Sequence, residues 1–261
     1  TNILIVGCQS TSIPNSVTTL GSVAFSGCTN LTNVSLGSGI SALEGGVFGE
    51  CSNLTSLTIP NNVSTIGEGA FRESGITSIN IHDNIQNIGN SAFAESKLTE
   101  IRLPGHIVYG TAICQGCINL RSVVMDSGIT KVDRSWFYGC SSLKNVTIPN
   151  TVTSIEYSAF RSCTNLKDIT LPNSVTYIGD CAFLECTAMT TFTIPESVTK
   201  IGDSYGQIFY HCTNLVSVYC KATTPPTWGY YASEVFTDNA PDRKIYVPTD
   251  SVDAYKTASK W

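Results

Sequence analysis

Histidine, cysteine and carboxylate side chains are the groups through which this 261-residue chain could do chemistry. Histidine would serve as a general base or a zinc ligand. None of its three histidines (His82, His106 and His211) lies in an H-E-x-x-H or comparable motif. The phosphate-binding pattern G-x-x-x-x-G-K-[ST] is also absent. We therefore expect a protein that is not an enzyme and that carries no cofactor.

Cysteine is the second reactive type, with eleven in the chain. Seven of them recur at one position, three residues after a phenylalanine slot: Cys28, Cys51, Cys117, Cys140, Cys163, Cys186 and Cys212. Ser74 and Ser96 hold the same position in two further segments. Side chains stacked ~4.8 Å apart sit too far apart for a relaxed disulfide, so we expect reduced, buried thiols. Cys114-x-x-Cys117 is a single pair without the four ligands that zinc needs, so no metal site is predicted.

A repeat of about 23 residues must position all of these groups. Phenylalanines recur at Phe25, Phe48, Phe71, Phe93, Phe137, Phe160, Phe183 and Phe209, and Cys114 fills the slot that is skipped. In each copy a segment such as Leu54–Ile59 alternates in polarity and predicts a short strand, which Pro60 ends. A second apolar pair follows, and then an Ala-Phe pair that predicts one helical turn.

One such copy cannot bury its apolar edge alone, so copies must stack into a solenoid. We predict an α/β repeat solenoid over residues 1–220, with nine to ten right-handed coils. Each coil would place one strand in a parallel sheet on the concave side, followed by a short second strand and a helical turn. Residues 221–261 would form a continuous cap, in which strand Lys244–Val247 precedes a helix that Asp250 caps.

The repeated run L-x-x-L-x-I-P-x-x-V-x-x-I-G-x-x-A-F-x-x-C-x-N resembles the BspA-like leucine-rich repeat of bacterial cell-surface proteins. The resemblance extends to about residue 220, and the tail is similar to segments that close such arrays. It implies a secreted or surface-anchored bacterial protein that adheres to host or neighbouring-cell molecules and has no catalytic activity. The partner implied is an extracellular protein or glycan.

Composition excludes other classes of partner. The formal net charge is −5 and only 13% of residues are charged, which argues against nucleic-acid binding. The longest aliphatic run, at residues 3–6, is far shorter than the ~20 residues that span a membrane. The chain begins with Thr1 and shows no leader pattern, so we expect either a cytosolic protein or one whose leader has been removed.

The first candidate site lies on the predicted concave sheet. The middle outward-facing position carries mostly hydroxyl side chains, and the exceptions gather in consecutive copies. Copies three to five hold most of the ionisable side chains of this face: His82, Glu100, Arg102 and Asp126, with His106 just beyond a strand end. These residues form either a polar ligand site or a group in which the two carboxylates simply neutralise Arg102.

The second candidate site is aromatic and lies near the C-terminal end. It comprises Tyr205, Tyr210, Tyr219, Trp228, Tyr230 and Tyr231. Exposed aromatic side chains anchor protein interfaces and stack on sugar rings. The alternative is that these rings fill the small core of the cap.

Three functions remain open at this point. The first is a non-enzymatic surface binding or adhesion protein, for which a broad sheet offers contact area. The second is a carbohydrate-binding accessory module that uses the aromatic end. The third is a passive spacer for a binding segment outside this chain. An enzyme built on His82, Glu100 and Asp126 is disfavoured, because an open sheet encloses no pocket.

Overall fold

The structure, a computed structural model, describes residues 9–204, 206–230, 235–258 and 261. Two rows of short parallel strands run along the molecule. The first row contains β1 (Ser10–Ser12), β2 (Asn33–Ser35), β6 (Glu100–Leu103), β8 (Ser122–Met125), β10 (Asn145–Thr147), β13 (Thr191–Ile194), β15 (Ser217–Cys220) and β17 (Lys244–Tyr246). The second row contains β3 (Ala42–Leu43), β4 (Thr65–Ile66), β5 (Asn87–Ile88), β7 (Val108–Tyr109), β9 (Lys131–Val132), β11 (Ser154–Ile155), β12 (Tyr177–Ile178), β14 (Lys200–Ile201) and β16 (Thr227–Trp228).

Each strand pairs with an equivalent strand one coil away, which confirms the predicted solenoid. The prediction of a first-row strand in every coil is wrong, because residues 54–59 and the equivalent segments near 79 and 169 form no strand, and the first row is divided into three sheets. In the first row Ile101 lies opposite Val123, and Val123 lies opposite Val146. In the second row Ile155 lies opposite Ile178. Every pairing is parallel, because the chain completes one full coil before it returns to the same sheet. Equivalent residues therefore form straight lines along the solenoid. A residue that departs from the consensus lies in such a line between the equivalent residues of the neighbouring coils.

The predicted phenylalanine slots form the central line of the core. Rings in successive coils stack with centroids 5.4 to 6.0 Å apart, from Phe25 to Phe93 and again from Phe137 to Phe236. Cys114 interrupts the line, and the buried Trp136 packs beside the gap against Phe137. Aromatic burial of this kind contributes both apolar area and ring contacts to stability.

The predicted helical turn is a series of tight turns in the structure. Arg72 N–H bonds to the Gly69 carbonyl, and Ser74 N–H bonds to the Phe71 carbonyl. Two residues in each coil adopt the left-handed conformation, as Gly69 and Glu73 do at φ +57° and +56°. Such residues stop a helix from continuing. Within the described part of the chain the one α-helix is α1 (Val252–Thr257), close to the C-terminus.

Residues beyond 220 first continue the solenoid. Strands β16 and β17 extend the two rows, and Phe236 stacks on Phe209. Helix α1 then covers this end and buries Tyr255, whose hydroxyl donates to the Ala222 carbonyl at 2.8 Å. The expectation that Asp250 caps this helix is wrong. Asp250 lies inside a 3-10 turn at Thr249–Ser251, and no side chain makes a capping bond there.

The cysteine position is buried as predicted, and the ten described cysteines are all free thiols. Their sulfurs also form hydrogen bonds, which suits a position that cysteine shares with serine. Six of them donate to a main-chain carbonyl of the preceding coil at 3.0 to 3.2 Å: Cys51, Cys117, Cys140, Cys163, Cys186 and Cys212. In five of these bonds the acceptor is the phenylalanine carbonyl. A small donor therefore fits this position better than a purely apolar side chain of similar size.

Truncation of one ring should open a cavity in this line. We expect Phe160→Ala to lower the free energy of unfolding by ~3–5 kcal/mol, because Phe160 is fully buried between two stacked rings. Urea denaturation of both proteins measures the difference. The exposed Thr170→Ala substitution is the control and should leave the midpoint unchanged. An unchanged midpoint for Phe160→Ala would contradict the assignment of the core.

The thiols should resist modification and make the fold sensitive to alkali. Burial raises the pKa of Cys51 and Cys212 to about 12. Dithionitrobenzoate should therefore modify few thiols in the folded protein and about eleven after denaturation. Because unfolded thiols ionise near pH ~8.5, stability should be lost as the pH rises from there towards 12. Cys212→Ser should weaken this pH dependence of the denaturation midpoint. A count well below eleven in denaturant would indicate disulfides instead.

Candidate functional site

The outward-pointing side chains of the first strand row form one continuous surface, which we call the first-row face. Strand register places Arg102, Val124 and Thr147 in one line across β6, β8 and β10. The same line continues at Thr193 and Tyr219 in β13 and β15. These registers confirm two segments of the predicted line of middle positions, from Arg102 to Thr147 and from Thr193 to Tyr219. Alternate residues of these strands are buried, so their neighbours in the sequence must face outward.

Arg102 and Asp126 form the ion pair at the centre of the first candidate site. The Arg102 Nη2 lies 2.9 Å from Asp126 Oδ2, and Nε lies 3.1 Å from Oδ1. The bond to Asp126 raises the pKa of Arg102. Asp126 can reach the guanidinium because it directly follows β8, at the position that Pro104 and Pro149 hold in neighbouring coils. The Arg102 side chain nevertheless remains 74% exposed.

Two shallow depressions adjoin Arg102. One, of about 340 Å³, is lined by Asn80, Asp83, Pro104, His106, Asp126 and neighbouring residues. The other, of about 200 Å³, is lined by Glu100, Ser78, Ser122 and Val124 together with Arg102. Four of the predicted residues (Glu100, Arg102, His106 and Asp126) are therefore gathered around these depressions. His82 lines neither of them.

The two histidines of this group hold adjacent coils together. His82 Nε2 lies 3.1 Å from the Pro60 carbonyl, and His106 Nε2 lies 3.0 Å from the Ile85 carbonyl. His106 occupies a position at which Ser174 and Ser197 donate in the same way to the coil before. Each imidazole must donate from Nε2, because its partner is a carbonyl oxygen. Whether either histidine also contacts a ligand stays a prediction.

Asp83 is a further residue at this site that the sequence argument missed. It lines the larger depression, and its charge contributes to the raised pKa of Arg102. Arg102 therefore has carboxylates on the coils to both sides, at Asp83 and Asp126. A signal for it was present in the sequence, since Asp83 directly follows His82.

In the structure the described aromatic residues of the second candidate site contact different partners and do not form one cluster. Tyr205 and Tyr231 lie outside the described residues. Trp228 packs on Phe236 and Trp261 inside the cap, which supports the core interpretation for this ring. Tyr210 packs edge-on against His211. Tyr230 is 81% exposed.

Of the described residues in this group, Tyr219 is the one that strand pairing places on the first-row face, and it has a partner that was not foreseen. Its ring stacks on Tyr246 with centroids 4.7 Å apart and planes 12° apart. Tyr246 was assigned to the last strand from the sequence, and the alternation of that strand could have placed it outward. It was missed because the position of β17 beside β15 is not evident from the repeat pattern.

A serine motif in the loop after β14 also went unrecognised. Gly202–Gly206 matches the nucleophile pattern G-x-S-x-G, in which the serine needs a histidine base. Here the buried carboxylate of Asp180 accepts from the N–H groups of Asp203, Ser204 and Gly206. Among the described residues no histidine bonds to the Ser204 hydroxyl. The motif therefore anchors the inserted residues of this coil.

The described residues lack two other features that often carry function. They contain no group of three or more His, Cys, Asp or Glu side chains arranged to hold a metal ion. No helix among them has the length and apolar character needed to cross a bilayer.

Comparison with known families gives a match over most of the chain. The model of the BspA type leucine-rich repeat region matches in six copies, over residues 6–113 and 109–236. The search of curated protein sequences found no match.

Solved structures with the same architecture come from bacteria of several genera. A leucine-rich repeat protein from Bacteroides ovatus ATCC 8483 is 28% identical, with a TM-score of 0.74 over 92% of this chain. This chain covers 66% of that protein, which is just under two thirds of its length. A leucine rich cell surface protein from Faecalibacterium prausnitzii A2-165 is 21% identical, with a TM-score of 0.53, over 97% of this chain and 83% of that one. A leucine-rich repeat protein from Eubacterium ventriosum ATCC 27560 is 20% identical, with a TM-score of 0.52, over 92% and 78%. The last two similarities show the fold alone.

The contribution of His106 to the stacking of coils can be measured. His106→Ala removes the donor to the Ile85 carbonyl and should lower the free energy of unfolding by ~1 kcal/mol. His106→Ser should retain most of it, because serine makes the equivalent bond at Ser174 and Ser197. Urea denaturation compares the three proteins. Equal losses for alanine and serine would contradict this role.

Proposed function

Because this chain belongs to the family of BspA type leucine-rich repeat proteins, we propose that it is a non-enzymatic binding protein of a bacterial cell surface. Its partner would be an extracellular protein, which it contacts through the first-row face. The extracellular location draws support from the Faecalibacterium prausnitzii neighbour, which is described as a cell surface protein.

The observation that carries the proposal is the exposed Arg102 between two depressions. Most other middle positions of the first-row face hold a small polar side chain, and the exceptions are Val124, Tyr219 and Tyr246. Arginine is enriched among the residues that dominate protein interfaces, since its planar fork of donors makes several bonds at once. Asp126 engages Nε and Nη2 and holds the side chain in place. The remaining N–H groups point to a carboxylate or carbonyl group of a partner as the matching contact.

The form of the site supports binding over catalysis. Both depressions are shallow and lie on an open sheet, so water has free access to every ionisable group in them. Catalytic pKa tuning depends on burial or on a closely placed charge partner. Arg102 has such a charge partner in Asp126, but the resulting shift raises its pKa and keeps its side chain charged.

The remaining alternatives predict different outcomes. A passive spacer would bind nothing through this face. A carbohydrate module would bind glycans through its exposed aromatic rings and would not depend on Arg102. The protein-binding proposal therefore predicts a result that the alternatives do not, namely that removal of Arg102 and Glu100 weakens binding.

Loss of the Arg102 and Glu100 side chains should weaken protein binding. The chain is screened against extracellular-matrix and plasma proteins, and the affinity of any hit is compared with that of the double variant Arg102→Ala with Glu100→Ala. We expect the dissociation constant to rise at least ~10-fold, because truncation of a central interface arginine typically costs more than ~1.4 kcal/mol.

The matched control is Thr170→Ala with Asp168→Ala, which removes the same two strand positions three coils further along. It should bind as the original chain does. Thermal unfolding of both variants should be unchanged, since all four side chains are exposed. The proposal fails if every hit binds both variants equally, or if the panel yields no hit.

A further inference from the structure

We propose that a second site on the first-row face, formed by Tyr219, Tyr246, Lys221 and Lys244, binds an acidic carbohydrate. We call it the tyrosine–lysine site. The ligand class is a glycan that contains uronic or sialic acid units. The inference goes beyond the protein-binding function proposed above, because it uses different residues at the other end of the face.

The tyrosine pair is an exposed aromatic surface. Tyr219 is 41% exposed and Tyr246 is 42% exposed, although each ring stacks on the other. No hydrogen bond to either hydroxyl occurs among the described residues. One face of the Tyr219 ring is covered by Tyr246, and its other face is turned towards Thr193 on the neighbouring strand β13. Because threonine is much smaller than tyrosine, that side of the ring has room for a sugar ring to stack.

Two lysines flank the pair on the same face. Lys221 follows Tyr219 by two residues, and Lys244 precedes Tyr246 by two, so strand alternation places each lysine on its tyrosine's side of the sheet. Both lysines are exposed, and neither forms an ion pair within the described part of the chain. Successive outward positions of one strand lie ~7 Å apart, which is within reach of a carboxylate on a stacked sugar.

Within the paired strands, the outward positions beside the lysines carry no carboxylate. Strand β13 carries Thr191 and Thr193 there, β15 carries Ser217, and Pro195 and Pro248 follow the flanking strands. The exposed Glu196 and Asp242 lie in the turns that flank these strands, and neither forms an ion pair with Lys221 or Lys244 among the described residues. This differs from the Arg102 site, where Asp83 and Asp126 supply opposing charge. The positive charge of the tyrosine–lysine site is therefore available to an anionic ligand, although the whole chain carries a net charge of −5.

A depression extends the site along the solenoid. It has a volume of about 390 Å³ and is lined by Thr170, Thr193, Asn150, Asn173 and Lys221, together with proline and leucine side chains. Hydroxyl and amide groups are suited to the hydroxyls of further sugar units. Lys221 belongs both to this depression and to the flank of the tyrosine pair. A chain of several sugars can therefore run from the rings towards Asn150.

Charge is the feature that separates this ligand class from a neutral glycan. A uronic acid polymer and its methyl ester have the same rings and differ in the carboxylate, so they test the role of the lysines directly. Immobilised polygalacturonate and its methyl-esterified form would be compared with 3′-sialyllactose and lactose. Single-stranded DNA would be included, since it is also an anion that stacks on aromatic side chains.

We expect at least one acidic glycan to bind at least ~10-fold more tightly than its neutral counterpart. Lys221→Gln with Lys244→Gln should reduce binding of the acidic form to the level of the neutral one. Tyr219→Ala with Tyr246→Ala should weaken binding at least ~10-fold, because stacking is lost. Tyr219→Phe with Tyr246→Phe retains the rings and should retain most of the affinity, which separates stacking from a folding defect.

Controls come from the same face and from outside it. Lys144→Gln with Lys167→Gln removes two other exposed lysines, and Tyr157→Ala removes another partly exposed ring. Both should bind as the original chain does. The double variant of Arg102 and Glu100 should also bind the glycan unchanged, so failure of one proposal is distinguishable from failure of the other. Equal binding of acidic and neutral forms, tighter binding of DNA, no glycan binding, or full binding by the lysine variant would overturn this proposal.

Discussion

Contact between each coil and the next is the constraint on which the whole structure depends. A coil has too few apolar residues to form its own core, so its phenylalanine is buried only when rings above and below cover it. The main-chain groups follow the same rule, because almost every N–H of the turns donates to a carbonyl one coil away or within its own turn. Stability is therefore distributed along the solenoid, and each coil is stabilised by the same few types of contact.

This constraint explains which features could be predicted from the sequence. Phenylalanine slots, strand positions and the buried cysteine position all recur, so each is supported by many copies at once. The line from Arg102 to Thr147 was correct for the same reason. Features that occur once gave no such signal. The bonds from Asp203 and Gly206 to Asp180 depend on an insertion found in one coil only. The Asp250 cap was wrong because a 3-10 turn precedes the helix.

The histidines show a second limit of sequence reasoning. His82 and His106 were grouped with Arg102 because they are ionisable and unusual for their positions. The structure shows that His106 fills a position where other coils use serine to bond to the preceding coil. A residue of unusual type can therefore make the same contact with the preceding coil as the residues that occupy its position in other coils. Asp83 and Tyr246 were missed for the opposite reason, since their importance arises from neighbours that lie a whole coil away in the sequence.

A repeated scaffold of this kind separates stability from recognition. The buried positions are set by stacking, whereas the outward positions of the first-row face can change with little cost to the fold. Arg102 and Tyr219 lie on the same line of this face, five coil steps apart, which corresponds to ~24 Å at the spacing of paired strands. Val124, Thr147, Thr170 and Thr193 lie between them. At that distance, beyond the ~8 Å Debye length in physiological salt, the two charged sites barely influence each other electrostatically.

A partner at Arg102 and an acidic glycan at the tyrosine–lysine site can therefore bind independently to one chain. A surface molecule that presents both a protein and its attached acidic glycan would engage both sites, and its avidity would exceed either single affinity if its geometry spans that distance.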